Sequence, residues 1–208
     1  MDLISINRNR IAKLNNPHHI KLKLYIAYFA FFLLFICLGA VASYSFKPIT
    51  PPVMINDMIL FFTPAIPEGK VIKVISSIIY NSIDIFKISI IIIISGFSYI
   101  SRASSRITAA IWSMWCGGAF FHYISAMKLE VAHEAIALAV IVIISYCAVF
   151  TSNCVNAELM AQEFCTNYTS GKIFSSSRGW KYIGIFLISF GYILIIYTVY
   201  IFLFKLLK

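Results

Sequence analysis

The first residues that suggest chemistry are His133-Glu134, which begin like the HExxH motif of zinc proteases. That motif needs a second histidine one helical turn later, so that both imidazoles reach the same zinc ion. The residue in that place is Ala137. The spacing therefore predicts no zinc site. Glu134 is expected in the first turn of a helix, where the helix dipole favours an acid, and His133 at the interface of membrane and water.

His122 is the only histidine inside an apolar run of the sequence. An ionisable residue within a membrane is a functional hypothesis by default, because its burial there is costly. His122 lies near the end of its run, where the ring can reach headgroups or water. A functional role and an interfacial position both stay open at this point.

Asp84 and Lys87 are three residues apart, which places them on one face of a helix. One interpretation is an ion pair near the membrane surface, with the Lys87 side chain extending outward. The other is a polar contact to a partner subunit. The sequence favours the ion pair, because long basic side chains near helix ends commonly extend to the interface.

Other reactive patterns are missing from the sequence. It has no GxSxG motif, no phosphate-binding loop and no paired acids within an apolar run. Its five cysteines form no CxxC pattern, which predicts neither a disulfide framework nor a metal site. We therefore expect no catalytic residue, no cofactor and no bound metal, and predict that the protein is not an enzyme.

The composition places most of the chain in lipid. Hydrophobic residues make up 61% of its 208 residues and charged residues 12%, whereas a soluble domain is about half apolar and a quarter charged. The formal net charge is +9. Because the basic residues stand at the ends of apolar runs, that charge indicates membrane topology and contacts with anionic lipid, and no nucleic acid partner is expected.

The apolar runs predict an all-α, polytopic transmembrane bundle of about five helices with an external amphipathic stretch. A basic cytoplasmic head at 1–23 precedes an integral membrane domain at 24–208. The predicted helices cover about 24–45, 85–101, 107–127, 135–153 and 180–207. A cleaved signal peptide is the alternative for the first helix, because Ala40-Val41-Ala42 resembles a cleavage site, but the long head and long apolar run argue against it.

The segment between the first two predicted helices is unusual. Residues 46–69 hold five of the six prolines and are predicted to be an irregular loop, with the short apolar stretch Met58–Phe62 resting on the membrane or on another helix. Residues 70–83 have helical periodicity, with Ile75 and Ile79 on the apolar face. We expect this surface to meet lipid headgroups or a partner protein and to carry the function.

The distribution of Lys and Arg predicts the orientation. The short segment 101–106 contains Arg102 and Arg106 and no acid, which is typical of a cytoplasmic turn. With five helices, the N-terminus is then cytoplasmic and the C-terminus lies outside the cell membrane.

The third predicted helix carries a face of small residues. Ser113, Gly117 and Gly118 lie on it, and Ala110 shares the stripe with Gly118. Small residues allow helices to approach closely in lipid. Gly117 and Gly118 are therefore predicted to contact another helix.

Three stretches of the chain resemble the stage II sporulation protein M family. Asn81 to Gly96 is similar to that family's polar-to-apolar entry into its second helix, and Trp112 to Phe121 to its glycine-bearing third helix. Ala132-His133-Glu134 is similar to its Pro-His-Gly turn before helix four, although only His133 matches. The resemblance covers most of the chain in layout.

The resemblance implies a non-catalytic membrane scaffold that anchors or recruits a protein complex, with peptidoglycan-degrading partners in sporulation. Membrane lipids and other membrane or cell-wall-associated proteins are the expected partners, and a homo-oligomer stays open. The alternative is a permease subunit of a multi-component transporter, which would show broken helices or polar residues along a path.

Overall fold

The computed structural model of the chain describes residues 17–46, 52–63, 71–98, 100–126, 132–169 and 176–206. Within these ranges the secondary structure is helical, without strands, as the sequence predicts. The helices, in chain order, are α1 Pro17–Phe46, α2 Pro52–Phe62, α3 Val71–Ser95, α4 Ser101–Ala126, α5 Ala132–Thr169 and α6 Ser176–Leu206.

Helix α2 corrects the prediction of an irregular loop over residues 46–69. The helix begins at Pro52, and proline is well tolerated in the first helical turn because its missing N–H would have no intrahelical acceptor there. It ends where the Thr63 hydroxyl donates to the Ile59 carbonyl over 2.9 Å. The other four prolines, Pro48, Pro51, Pro64 and Pro67, lie outside the described ranges.

Helix α5 is longer than predicted, because it continues past Asn153 to Thr169. The polar composition of that region suggested a connecting segment. In the structure Asn156 and Glu158 are buried, so the polar face points into the bundle. A polar residue inside a bundle is compatible with helix when its hydrogen bonds are made to other helices.

The remaining helix ends also shift. Helix α1 begins at Pro17, within the predicted head. Helix α3 joins the amphipathic stretch to the second apolar run and ends at Ser95. A turn follows, in which the Gly96 amide donates to the Ile93 carbonyl over 2.9 Å, and α4 begins at Ser101. Arg102 and Arg106 therefore lie in the first turns of α4.

Three helices contain stretches that are long and apolar enough to cross a membrane: Lys21–Phe46 in α1, His133–Phe164 in α5 and Trp180–Leu206 in α6. The apolar part of α3, Ile85–Ser95, is shorter. Helix α4 packs against α1, α2, α3 and α5. Helix α4 is less apolar than the three helices with membrane-length stretches, and several of its polar side chains, such as those of Ser105, Ser113 and His122, are buried.

Side-chain contacts give the direction of each helix. Helices α1 and α4 run parallel, because Phe32 meets Trp112 near the middle of both helices and Tyr44 meets Phe121 late in both. Helix α5 is antiparallel to α4, since Ser101 at the start of α4 contacts Ala157, whereas Trp112 further along α4 packs on Phe150 earlier in α5.

Helix α6 is antiparallel to α3. Phe86 stacks on Phe190, while Tyr182, near the start of α6, reaches Ile93 near the end of α3. We call the end of the bundle that contains Arg102, Glu158 and Tyr182 the arginine end. The end that contains Phe62, Tyr123 and Tyr200 is the aromatic end.

The close approach of α1 and α4 depends on glycine. A Cβ atom on Gly39 would collide with the backbone carbonyl of Met114. Conversely, a Cβ on Gly117 would collide with the backbone carbonyl of Ile36. Gly118 lies against the Ser43 hydroxyl and the Met58 side chain. Gly117 and Gly118 thus both face other helices, and α1 and α4 meet backbone to backbone.

Aromatic side chains fill the layers on either side of this contact. Phe32, Trp112 and Phe150 join α1, α4 and α5, with the Trp112 and Phe150 ring centroids 4.5 Å apart. At the aromatic end, Phe62 packs on Tyr123, and the Tyr200 hydroxyl donates to the Phe62 carbonyl over 2.5 Å. That bond occupies a carbonyl at the C-terminus of α2, which has no acceptor role within its own helix.

Replacing Gly117 with alanine should destabilise the protein by about 1–3 kcal/mol, because the added methyl meets backbone that cannot move aside. The matched control is Gly184→Ala, since nothing lies within 4 Å of a Cβ at Gly184. Thermal unfolding of the purified proteins in detergent measures the difference. Equal unfolding midpoints for the two variants would contradict the glycine contact.

Candidate functional site

The residues singled out from the sequence are spread over the bundle. Gly117 and Gly118 lie in the contact of α4 with α1 and α2. Ile79 is half exposed on α3, and Lys87 is exposed on the same helix. The side chains of Ile75 and Asp84 lie outside the part of the chain that the structure describes. The pairing expected between Asp84 and Lys87 therefore stays a prediction.

The two histidines have different surroundings. His133 and Glu134 are both exposed in the first turn of α5. His122 is only 2% exposed, and its ring packs edge-on to Phe121 at a centroid distance of 5.3 Å. The ring of His122 is thus inside the bundle rather than directed to headgroups or water. Among the described residues, no three His, Cys, Asp or Glu side chains lie close enough to hold a metal ion.

The structure places the strongest polar cluster elsewhere, around Glu158 of α5. Its carboxylate is 2% exposed. One oxygen, Oε1, accepts from Arg102 Nε over 2.7 Å and lies 2.5 Å from Arg102 Nη2. The other oxygen, Oε2, accepts from the Tyr28 hydroxyl over 2.9 Å. Both carboxylate oxygens therefore have partners, one from α4 and one from α1.

The cations of this cluster lie at its rim. Arg102 is 60% exposed although it reaches a buried acid. Arg106, one turn further along α4, holds its guanidinium carbon 6.0 Å from the centroid of the Tyr28 ring, within the range of a cation–π contact. Tyr28 thus interacts with Glu158 through its hydroxyl and with Arg106 through its ring.

Further hydrogen bonds join the helices around the Glu158 cluster. Tyr25 and Ser152 link α1 to α5 over 3.3 Å, and the Ser101 hydroxyl donates to the Ala157 carbonyl over 3.3 Å. Ser95 and Ser105 link α3 to α4 over 3.0 Å. The Tyr182 hydroxyl donates to the Ile93 carbonyl over 3.1 Å and adds α6. The arginine end is therefore held together by polar contacts among five helices.

Local sequence explains why Glu158 arrives at this place. Phe150, Cys154 and Glu158 follow one another at a spacing of four residues, so they share one face of α5. Phe150 and Cys154 are buried against α1 and α4, and the face they define continues into Glu158. That continuity is the signal that could have identified Glu158 in the sequence. It was missed because the helix was expected to end near Asn153.

The arrangement is suited to holding helices rather than to transferring protons. A general acid or base must be within reach of a substrate proton, whereas both oxygens of Glu158 are engaged by Arg102 and Tyr28. A buried carboxylate left without its cation is strongly destabilising, because the cost of removing it from water is no longer offset. The Glu158 cluster accordingly holds α1, α4 and α5 together.

Comparison of the chain with protein-family models, with curated proteins and with solved structures finds no match.

Replacing Arg102 with glutamine should lower the free energy of unfolding by about 3 kcal/mol, near the lower end for breaking a buried pair, because Arg102 itself is largely exposed. The double variant Arg102→Gln/Glu158→Gln should recover most of this loss, since no buried charge is then left unpaired. Thermal or denaturant unfolding in detergent measures the cycle.

The control for this cycle is Arg106→Gln, which should change stability by less than about 1 kcal/mol, because Arg106 is exposed and contacts the uncharged Tyr28 side chain. Additive losses in the double variant would show that Arg102 and Glu158 do not act as a pair.

Proposed function

We propose that this protein is a five-pass integral membrane protein of the cell membrane that acts as a non-catalytic scaffold. In this proposal α1, α3, α4, α5 and α6 cross the bilayer, and α2 is fixed at the outer end of the bundle. The scaffold anchors a protein complex through a surface that includes α2.

The alternation of helix directions supports five crossings. Helices α1, α4 and α6 run from the arginine end to the aromatic end, and α3 and α5 run back. The apolar part of α3 is short and α4 contains many polar residues. Helix α4, however, is surrounded by α1, α2, α3 and α5 and exposes little of its polar surface to lipid. Small and polar residues are common where transmembrane helices contact one another.

The ends of the bundle carry residues typical of membrane interfaces. Trp180 is exposed at the arginine end beside exposed Lys181, and Tyr44 is exposed at the aromatic end. Aromatic residues with a polar edge favour the headgroup region, and basic residues favour the cytoplasmic side. This distribution supports a cytoplasmic arginine end.

Topology reporters test this arrangement. A reporter fused after Ser104 should lie in the cytoplasm, and reporters fused after His133 and after Lys208 should lie outside, because the arginine end is basic and five crossings separate the termini. Each fusion is made with two reporters that are active on opposite sides of the membrane, and their relative activities identify the side on which the fusion site lies. Finding the Ser104 and Lys208 fusions on the same side would exclude five crossings.

The observation that carries the scaffold proposal is the placement of α2. Met58 and Phe62 are buried against α4 and α6, which fixes the helix to the bundle. Its opposite face is exposed: Val53 is 72% and Leu60 is 56% exposed, and exposed Asn56 lies between them. A short, firmly seated helix whose outer face carries exposed apolar side chains offers a preformed surface to a partner, at little cost in ordering on binding.

The class of partner comes from the family resemblance. Peptidoglycan-degrading enzymes act outside the cytoplasmic membrane, and in the proposed topology α2 lies at that side. The resemblance and the exposed face of α2 thus agree on the side at which the partner binds.

The protein purified with its partners should carry peptidoglycan-hydrolysing activity, and Val53→Ser/Leu60→Ser should lose that activity at unchanged folded yield. The matched control is Ile188→Ser/Ile195→Ser, which changes two similarly exposed residues of α6 where lipid is expected. Hydrolysis of labelled peptidoglycan by each eluate measures the result. An inactive wild-type eluate, or full activity with the α2 variant, would contradict the proposal.

A permease subunit is the second candidate, and buried polar groups favour it. Ser89 of α3 and Asn153 of α5 are both buried, and Ser89 Oγ and Asn153 Nδ2 have no hydrogen-bond partner among the described residues. Polar atoms of this kind are expected along a transport path. The same purification distinguishes the candidates, because a permease subunit should bring an ATPase with it.

A further inference from the structure

We propose that Lys21 of α1 and Arg106 of α4 together bind the phosphate of an anionic phospholipid at the arginine end. The proposal rests on the membrane location given under the proposed function and adds the lipid class and its ligands. We call the surface formed by Lys21, Tyr25, Tyr28 and Arg106 the lipid surface.

Two tyrosines of α1 contact the two cations at neighbouring turns of that helix. Lys21, Tyr25 and Tyr28 are four and three residues apart, so they share one face of the helix. The Lys21 ammonium lies 5.9 Å from the centroid of the Tyr25 ring, and Arg106 lies 6.0 Å from that of Tyr28. Since the two rings are one turn apart, cations from two different helices converge on one surface.

The charge around this surface is unbalanced. Among the side chains that the structure describes at this end, five are basic and two are acidic. The basic ones are Lys21, Lys23, Arg102, Arg106 and Lys181, and the acidic ones are Glu158 and Glu163. One of the two acids, Glu158, has its two oxygens engaged by Arg102 and Tyr28. The surface therefore favours an anion.

Exposed apolar residues near the cations indicate a lipid rather than a soluble phosphate. Leu22 and Ile26 follow Lys21 on α1, and Ile107 and Ile111 follow Arg106 on α4; all four are more than half exposed. An anionic phospholipid fits this arrangement, because its phosphate contacts the cations while its acyl chains contact the exposed apolar residues. Basic sites between transmembrane helices on the cytoplasmic side bind anionic lipid headgroups in this manner.

The test adds phosphatidylglycerol or phosphatidylcholine to the purified full-length protein in neutral detergent. Native mass spectrometry counts bound lipid, and thermal unfolding reports stabilisation. Phosphatidylglycerol should bind in preference to phosphatidylcholine. Each cation contributes roughly fivefold to the affinity for an anionic surface, so Lys21→Gln/Arg106→Gln should weaken phosphatidylglycerol binding about 25-fold.

The matched control is Lys205→Gln, which removes an exposed cation at the opposite end of α6 and should leave binding unchanged. Equal binding of both lipids, unchanged binding by the double variant, or an equal loss with Lys205→Gln would overturn the proposal. So would glycerol phosphate, added without lipid, stabilising the protein as much as phosphatidylglycerol. The outcome does not depend on the partner enzyme or on the reporters, so failure here is distinct from failure of the scaffold.

Discussion

The direct backbone contact between α1 and α4 is the constraint on which the arginine end depends. Gly39 and Gly117 allow each helix to lie against the other's carbonyl groups, and the two helices form the most extensive contact in the described residues. Because they run parallel, Tyr28 of α1 comes level with Arg102 and Arg106 of α4. Glu158 can be buried only because both of its partners are already side by side. The glycines that bring α1 and α4 together thus allow the charge of Glu158 to be buried at the arginine end.

Composition and periodicity predicted much of this architecture. The excess of apolar residues indicated an all-helical membrane chain, and the structure has helices with three stretches able to span a bilayer. Predictions from local sequence were wrong where tertiary contacts decide the structure. Proline density suggested a loop at 46–69, but a proline that opens a helix costs little, and Pro52 begins α2. Polar residues suggested a break after Asn153, but α5 continues to Thr169, and Glu158 in this part finds its partners on α1 and α4.

The Glu158 cluster shows why the site was harder to predict than the fold. Tyr28 and Glu158 are 130 residues apart in the chain, and no local pattern connects them. Arg102 suggested a cytoplasmic turn, and its role in neutralising a buried acid follows only from the packing of α4 against α5. In contrast, the contact of Gly117 and Gly118 with another helix follows from residue size alone, and the structure places both glycines in such contacts.

The parallel arrangement of α1 and α4 has a consequence for biosynthesis. Two helices joined by a short turn can pair as soon as the second emerges, but they pair antiparallel. The partner of α1 is instead the helix that follows α2 and α3 in the chain. The face of α1 around Gly39 therefore lacks its final neighbour until α4 has been synthesised. The central contact of this protein is therefore non-local in the order of synthesis as well as in space.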